Sequence, residues 1–124
     1  MKPYKSLKGK KKFREVIKKG RRYYRSEVQL IALKIDDEYT FEKENKNNSL
    51  SKCVQVGIQV GKKYGNAINR NRAKRRIKAI CSEVLQKVDN DFIIIIRPEE
   101  NFKSLSYLNS KFAIASLLTK AGLL

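Results

Sequence analysis

The sequence predicts an α+β protein, a single-sheet α/β sandwich with helices packed on one β-sheet. Helix and strand periodicities follow one another in the order helix, strands, basic helix, buried strand, helix. Residues Phe92–Ile96 form a continuous apolar run that leads to Arg97, as expected for a strand, Phe92–Arg97, that is buried on both faces. Residues 53–97 form a candidate parallel βαβ crossover. The length of 124 residues allows one domain, 1–124, with one modest core.

The first part of the chain predicts a helix followed by two strands. Residues 1–9 are expected to form a flexible basic arm. The helix is predicted over Lys10–Lys19, with Gly20 as its stop, and strands follow at Arg21–Ser26 and Val28–Ile35. The apolar residues of this helix recur at i, i+3 and i+4 spacing: Phe13, Val16 and Ile17.

A long polar connection precedes the third strand. Residues 36–51 are turn-rich and are expected to form a variable loop. The loop acids lack the spacing of a calcium-binding loop, so a solvated loop is preferred to a metal site. These acids are Asp36, Asp37, Glu38, Glu42 and Glu44. The next strand, Cys53–Val60, alternates apolar and polar residues, which predicts one buried and one polar face.

A basic helix is predicted next, with Asn66 as its N-cap and its end near Lys87. Its apolar stripe has spacings of three and four: Ala73, Ile77, Ile80, Cys81 and Val84. Six cations project from the remaining arc: Arg70, Arg72, Lys74, Arg75, Arg76 and Lys78. One side of the helix is therefore expected to pack on the sheet while the other presents positive charge.

The chain is predicted to close with the buried strand, ended by Pro98, and a last helix over 106–121 that Gly122 stops. We expect the inner face of this helix to consist of Leu108, Phe112, Ala115 and Leu118 or Thr119.

The charge of the chain is large and unevenly distributed. With 29 Lys and Arg against 12 Asp and Glu, the formal net charge is +17 at pH 7. Residues 1–25 hold +11 and residues 62–78 hold +8, whereas the remainder is −2. Four of the nine arginines fall within 70–76, and arginine presents a planar fork of donors suited to phosphate. This pattern favours a specific polyanion as partner.

Several classes of function are excluded or disfavoured. The chain has no histidine, which excludes Ser-His-Asp triads, Cys-His nucleophiles and histidine-ligated zinc. Gly61 and Gly65 do not make a P-loop, because no Gly-Lys-Ser/Thr follows. Cys53 and Cys81 are interpreted as buried thiols. No signal peptide is visible and no apolar run could span a membrane, so we expect a cytoplasmic protein without a membrane partner.

Residues 61–80, GKKYGNAINRNRAKRRIKAI, resemble the signature of the bacterial ribonuclease P protein subunit. That family shows a strand ending in a Lys-Lys pair, then Gly-Asn-Ala, then Arg-Asn-Arg followed by Lys-Arg. The matching residues are Lys62-Lys63, Gly65-Asn66-Ala67, Arg70-Asn71-Arg72 and Lys74-Arg75. The resemblance covers nearly the whole chain, with 36–51 as an extended variable region.

The resemblance implies an αβββαβα fold like the second domain of ribosomal protein S5, with a left-handed βαβ crossover, although such crossovers are usually right-handed. It implies a subunit of the endonuclease that removes the 5′ leader from precursor tRNA. The catalytic RNA performs the hydrolysis with bound Mg²⁺. The protein binds the leader and the catalytic RNA and promotes Mg²⁺ and substrate affinity. It supplies no catalytic residue, metal site or organic cofactor.

The charge pattern and the resemblance together predict an RNA-binding surface. Its residues are Lys62, Lys63, Asn66, Arg70, Asn71, Arg72, Lys74, Arg75, Arg76 and Lys78. A second basic group belongs to the first helix: Lys10, Lys11, Lys12 and Arg14. Its lysines stand at the helix N-terminus, where the macrodipole disfavours a cation by ~0.3–1 kcal/mol. This unfavourable placement indicates an anion nearby.

The resemblance also implies a cleft for the leader between the first helix and the sheet, where aromatic side chains stack on unpaired bases. Phe13 matches the first family aromatic, with packing in the core as the alternative role. Ile17 and Ile31 stand where the family often has further aromatic residues. Apolar contact is therefore the alternative to base stacking at these two positions.

Three other classes of protein compete with this interpretation. A ribosomal or other structural RNA-binding protein shares the charge but does not need the Arg-Asn-Arg segment. A DNA-binding protein is disfavoured, because a strand and not a turn-linked helix precedes 66–80. A stand-alone nuclease is disfavoured by the missing histidine and by the placement of the acids in a loop.

Overall fold

The computed structural model describes residues 4–34, 54–86 and 92–124. Its strands are β1 (Tyr4–Ser6), β2 (Arg21–Tyr24), β3 (Val28–Lys34), β4 (Val54–Ile58) and β5 (Phe92–Pro98). Its helices are α1 (Lys10–Lys19), α2 (Ala67–Val84) and α3 (Tyr107–Ala121). This is the predicted order αβββαβα preceded by one further strand. The predicted loop 36–51 and Cys53 lie outside the described residues.

The five strands form one mixed sheet in the order β1-β4-β5-β3-β2. β5 lies at its centre, parallel to β4 and antiparallel to β3. Ile93, Ile94 and Ile95 have no exposed surface, which confirms the prediction of an interior strand. Because β4 and β5 are parallel neighbours joined through α2, the predicted parallel βαβ unit is also confirmed.

Helices cover both faces of the sheet. Alternate strand residues such as Leu30, Ile94 and Ile96 pack with α2 and α3 in the larger apolar cluster. The residues between them, such as Ile31 and Ile95, pack with α1 in a smaller cluster. The two faces of β3 thus pack in different apolar clusters, and α1 and α2 lie on opposite faces of the sheet.

Residues 4–6 correct the expectation that the first nine residues form a flexible arm. They form β1, which pairs in parallel with β4, so that Tyr4 lies opposite Val54. Tyr4 and Leu7 are buried, and the Leu7 N–H donates to the Val56 carbonyl at 2.8 Å. Tyr4 and Leu7 stand among lysines, and two apolar residues are too few to show the periodicity of a strand in the sequence. The strand exists because β4 offers a free edge.

The ends of the helices follow the prediction closely. α1 spans the predicted residues, and the Asn66 side chain accepts a hydrogen bond from the Asn69 N–H at 2.9 Å as the N-cap of α2. Gly20 after α1 has an extended backbone. A Cβ atom there would lie 2.7 Å from the Val16 carbonyl oxygen and 2.8 Å from Ile31 Cγ2. Gly20 therefore permits close packing of α1 on the sheet.

The inward face of α3 includes Leu118, as predicted, but not Leu108 or Phe112. Leu108 and Phe112 are 73% and 65% exposed. The buried residues of α3 are Ser110, Ala113, Ile114, Leu117 and Leu118. This helix is apolar on several sides, so its period alone does not choose the inner stripe. Packing on β2 and β3 makes that choice. No helix in the described ranges is long and apolar enough to cross a membrane.

Candidate RNA-binding surface

A tight turn holds the Lys-Lys pair beside the start of α2. Residues Lys62–Tyr64 form a single 3-10 turn, and Gly65 follows with φ 148°, a conformation that favours glycine. The Tyr64 side chain is buried and anchors the turn, whereas Lys62 and Lys63 are exposed. Burial raises the pKa of the Tyr64 hydroxyl, and nearby Arg76 partly offsets this effect.

The exposed side of α2 carries most of the predicted RNA-binding residues. Ala73, Ile77 and Ile80 face the sheet and are buried. The exposed residues include Asn66, Asn71, Arg72, Lys74, Arg75 and Lys78, and Arg70 is half-buried. The structure thus brings the sequence-predicted cations together on one helix surface. Their contact with RNA stays a prediction.

Arg76 differs from its neighbours because the fold uses its guanidinium group. Its Nη1 atom donates to the Leu105 carbonyl at 2.8 Å and to Ser110 Oγ at 3.2 Å. Its Cζ atom lies 5.8 Å from the centre of the Phe102 ring. Arg76 is half-buried and connects α2 to the start of α3. If Arg76 is to contact RNA as predicted, it must do so while it keeps these hydrogen bonds to Leu105 and Ser110.

A cleft of about 280 Å³ lies between α2 and the 3-10 helix Glu100–Ser104. Three cations and no acid line it: Arg72, Arg76 and Lys103. The Lys103 Nζ atom lies 5.0 Å from the centre of the Tyr64 ring. Like charges converging on one cleft favour an anion there. Lys103 could not be predicted as part of this site, because it stands alone in a near-neutral segment, far along the chain from α2.

The second basic group occupies the opposite face of the sheet. Lys10, Lys11 and Arg14 are exposed on α1, and Lys12 is half-buried. α1 packs on the face that α2 does not cover.

The predicted leader cleft is formed only in part by the residues assigned to it. Phe13 and Ile17 are half-buried on α1, and Phe13 lies against Gly57 of β4. Ile31 has no exposed surface, because α1 covers it. The assignment of Ile31 to the cleft surface is thus corrected: it lies beneath α1 and supports it.

Polar residues that sequence analysis missed line the uncovered part of the same sheet face. Gln29 of β3 lies opposite Arg97 of β5, and the Gln59 N–H donates to the Ile96 carbonyl at 3.0 Å. These three side chains line a cavity of about 680 Å³ with Lys62, Lys63 and Arg70. The carboxylates of Glu99 and Glu100 also line it, and Gln29 Nε2 donates to Glu99.

Two buried polar atoms at this cavity have no hydrogen-bond partner in the described part of the chain. They are Gln59 Oε1 and Arg70 Nε. Buried polar atoms in folded proteins usually have hydrogen-bond partners, so these two atoms differ from most buried polar atoms. Arg70 stands on α2 and Gln59 on the opposite sheet face, so the cavity connects the basic side of α2 with the face carrying α1.

The described residues provide no cage for a metal ion. Across 4–34, 54–86 and 92–124, no three His, Cys, Asp or Glu side chains lie together as ligands. The residues of the cavity and of α2 are mainly cations and amides, which suit phosphate better than Mg²⁺.

Comparison with known proteins identifies relatives of this chain. The family model described as Ribonuclease P matches residues 1–122. The Ribonuclease P protein component of Finegoldia magna is 29% identical over 116 residues, covering 94% of this chain and 89% of that protein. The corresponding protein of Acholeplasma laidlawii is 42% identical over 72 residues, which are 56% of this chain and 60% of that protein.

Solved structures show the same fold. The Staphylococcus aureus RNase P protein superposes with a TM-score of 0.76 at 21% identity, covering 95% of each chain. The RNase P protein from Thermotoga maritima gives a TM-score of 0.73 at 19% identity, covering 94% of this chain and 96% of that one. At these identities the structural match supports the fold alone.

Proposed function

Because the chain belongs to the ribonuclease P protein family, we propose that it acts as the protein subunit of a ribonuclease P ribonucleoprotein. In that role it binds a catalytic RNA and takes part in removing the 5′ leader from precursor tRNA. Hydrolysis is assigned to the RNA, with Mg²⁺ held mainly by the RNA and the substrate. The chain supplies binding surfaces and no catalytic side chain.

The observation that carries this proposal is the basic surface formed by residues 62–78, which are the turn before α2 and the first part of that helix. Residues 62–78 hold eight cations and no acid, and most of these cations are exposed. Neutralising phosphates with such side chains releases counterions, which drives binding to RNA. The cleft with Arg72 and Lys103 adds an anion site to this surface. We assign the surface to the phosphates of the catalytic RNA.

The sheet face beside α1 supports the second part of the proposal, the binding of the single-stranded leader. It offers the half-buried ring of Phe13, the guanidinium of Arg97 and amide groups of Gln29 and Gln59. Rings, donors and cations are the groups that single-stranded RNA binders combine. By holding the leader there, the protein raises substrate affinity and lowers the Mg²⁺ concentration that cleavage needs.

Reconstitution tests the proposal. The purified chain alone should leave precursor tRNA intact. Added to a bacterial ribonuclease P RNA at low Mg²⁺, it should restore cleavage at the 5′ end of the mature tRNA. A matched control is the same RNA at high Mg²⁺ without protein, which shows that the RNA is active. Failure to stimulate this active RNA would contradict the proposal.

The same experiment separates the alternative of a ribosomal or other structural RNA-binding protein. Such a protein would bind the RNA through its phosphates and would not lower the Mg²⁺ requirement. Binding without stimulation would therefore favour the alternative.

A further inference from the structure

Tyr24 is an exposed aromatic residue on the sheet face that carries α1. It ends β2, the edge strand, and its side chain is 57% exposed. Its neighbour Tyr23 packs against the apolar cluster under α2 and α3. Successive strand residues point to opposite faces, so Tyr24 points to the face of α1. The ring is therefore available on the same side as Phe13.

The register of the sheet aligns Tyr24 with the polar residues of the cavity. Tyr24 lies opposite Gln29 in β3, and Gln29 lies opposite Arg97 in β5. Gln59 directly follows β4. Because Ile58 lies opposite Ile96 in the parallel pair of β4 and β5, the next residue, Gln59, is aligned with Arg97. These four residues form a row across four strands, about 14 Å long at about 4.8 Å per strand. We call it the polar row.

α1 covers the adjacent row and leaves the polar row open. The adjacent row contains Gly57, Ile95 and Ile31, of which Gly57 lies under Phe13 and Ile31 under the end of α1. Phe13 thus borders the polar row near β4, and Tyr24 ends it at β2. Two aromatic rings flank a floor of amide and guanidinium groups, and the carboxylates of Glu99 and Glu100 border this floor. An extended, single-stranded chain laid along this floor would meet rings at both ends.

We propose that Tyr24 stacks on an unpaired base of the RNA that lies on the polar row, with Arg97 binding the adjacent phosphate. This inference rests on the proposed function, since it takes the single-stranded leader as the ligand. A flat phenol ring stacks on any base, because every base presents a π-face. Gln29 and Gln59 line the floor with amide groups, which are suited to hydrogen bonds with base edges. Tyr24 thus supplies the aromatic surface that Ile31, buried under α1, does not.

Fluorescence of a labelled leader tests the contact directly. Precursor tRNAs are prepared with 2-aminopurine at one leader position at a time and bound to the reconstituted holoenzyme in Ca²⁺, which slows cleavage. Stacking on Tyr24 should quench the fluorescence at one position. Tyr24→Ala and Tyr24→Leu should abolish this quenching, whereas Tyr24→Phe should retain it because the ring remains.

Affinity provides the second measurement. Tyr24→Ala should weaken binding of precursor tRNA by about 5-fold or more, the loss expected for one stacked base, and leave binding of leaderless tRNA unchanged. The control is Leu108→Ala, which removes an exposed apolar side chain (73% exposed) from α3, on the other face of the sheet. This control should change neither quenching nor affinity.

The outcomes separate the two proposals. If wild-type holoenzyme cleaves normally but Tyr24→Ala and Tyr24→Leu preserve every quenching signal, the stacking inference is wrong and the proposed function stands. An equal loss of affinity for leaderless tRNA would also overturn the inference, because it would indicate a contact outside the leader. If the wild-type chain fails to stimulate an active RNA, the proposed function itself fails.

Discussion

The ring of Phe13 lies so close to Gly57 that a Cβ atom at Gly57 would come within 2.6 Å of Phe13 Cζ. The absence of a side chain in the middle of β4 therefore makes room for a ring from α1. This contact docks the first helix across β4 as well as on β3 and β5. It also places the ring at the border of the polar row.

Gly57→Ala should displace the Phe13 ring from its position. Because the obstructing atom is the end of a side chain, the protein should still fold, with an overpacking cost of about 1–3 kcal/mol in the free energy of unfolding. Urea denaturation of both single variants and of the double variant with Phe13→Ala measures the coupling. Gly57→Ala should lower the free energy of unfolding by less in the Phe13→Ala background than in the wild type. Additive costs would show that the two residues do not interact.

Arg72→Ala and Arg75→Ala should weaken binding to the catalytic RNA and flatten its dependence on salt. Each lost phosphate contact reduces the slope of log K against log salt concentration by at most about one unit. Filter binding at several salt concentrations measures the slope. Lys120→Ala is the matched control, since it removes an exposed cation near the end of α3. Slopes equal to that of the wild type would mean that these arginines face solvent in the complex.

Arg76→Ala should lower stability, unlike its neighbours. It leaves the Leu105 carbonyl and the fully buried Ser110 hydroxyl without their guanidinium donor, which costs about 1–3 kcal/mol in the free energy of unfolding. Chemical denaturation should show this loss, while Arg72→Ala should stay within about 0.5 kcal/mol of the wild type. Equal stabilities of the two variants would show that the hydrogen bonds of Arg76 contribute nothing to the fold.

Cys81 should be chemically inert in the folded protein. Its side chain is fully buried, and desolvation raises its pKa to about 12, so the reactive thiolate is absent at pH 8. Ellman's reagent should react with a Cys53→Ser variant only after denaturant is added. Because the folded pKa exceeds that of the unfolded chain, Cys81 does not affect stability below about pH 9. Between about pH 9 and pH 12 it should make the fold progressively less stable. Rapid reaction of Ellman's reagent with the folded Cys53→Ser variant would contradict the burial of Cys81.

The sequence by itself determined the basic helix and the central strand of this protein. The capping residue Asn66, the three-and-four spacing of the apolar stripe through Ile77 and the unbroken isoleucine run of β5 are all local patterns. Local geometry therefore sets which face of α2 is buried and which is charged. The family signature lies in the same segment, where local patterns are strongest.

Only the tertiary structure decided the remaining parts of the site. Tyr4 pairs with β4 because the backbone groups on that side of β4 would otherwise have no partner strand. α3 buries Ile114 and leaves Phe112 exposed, because the side of the helix that carries Ile114 packs on β2 and β3. Sheet register places Tyr24 in line with Arg97, although 72 residues separate them in sequence. Long-range pairing and the choice between competing apolar faces depend on what an element packs against. For that reason a single segment does not encode them.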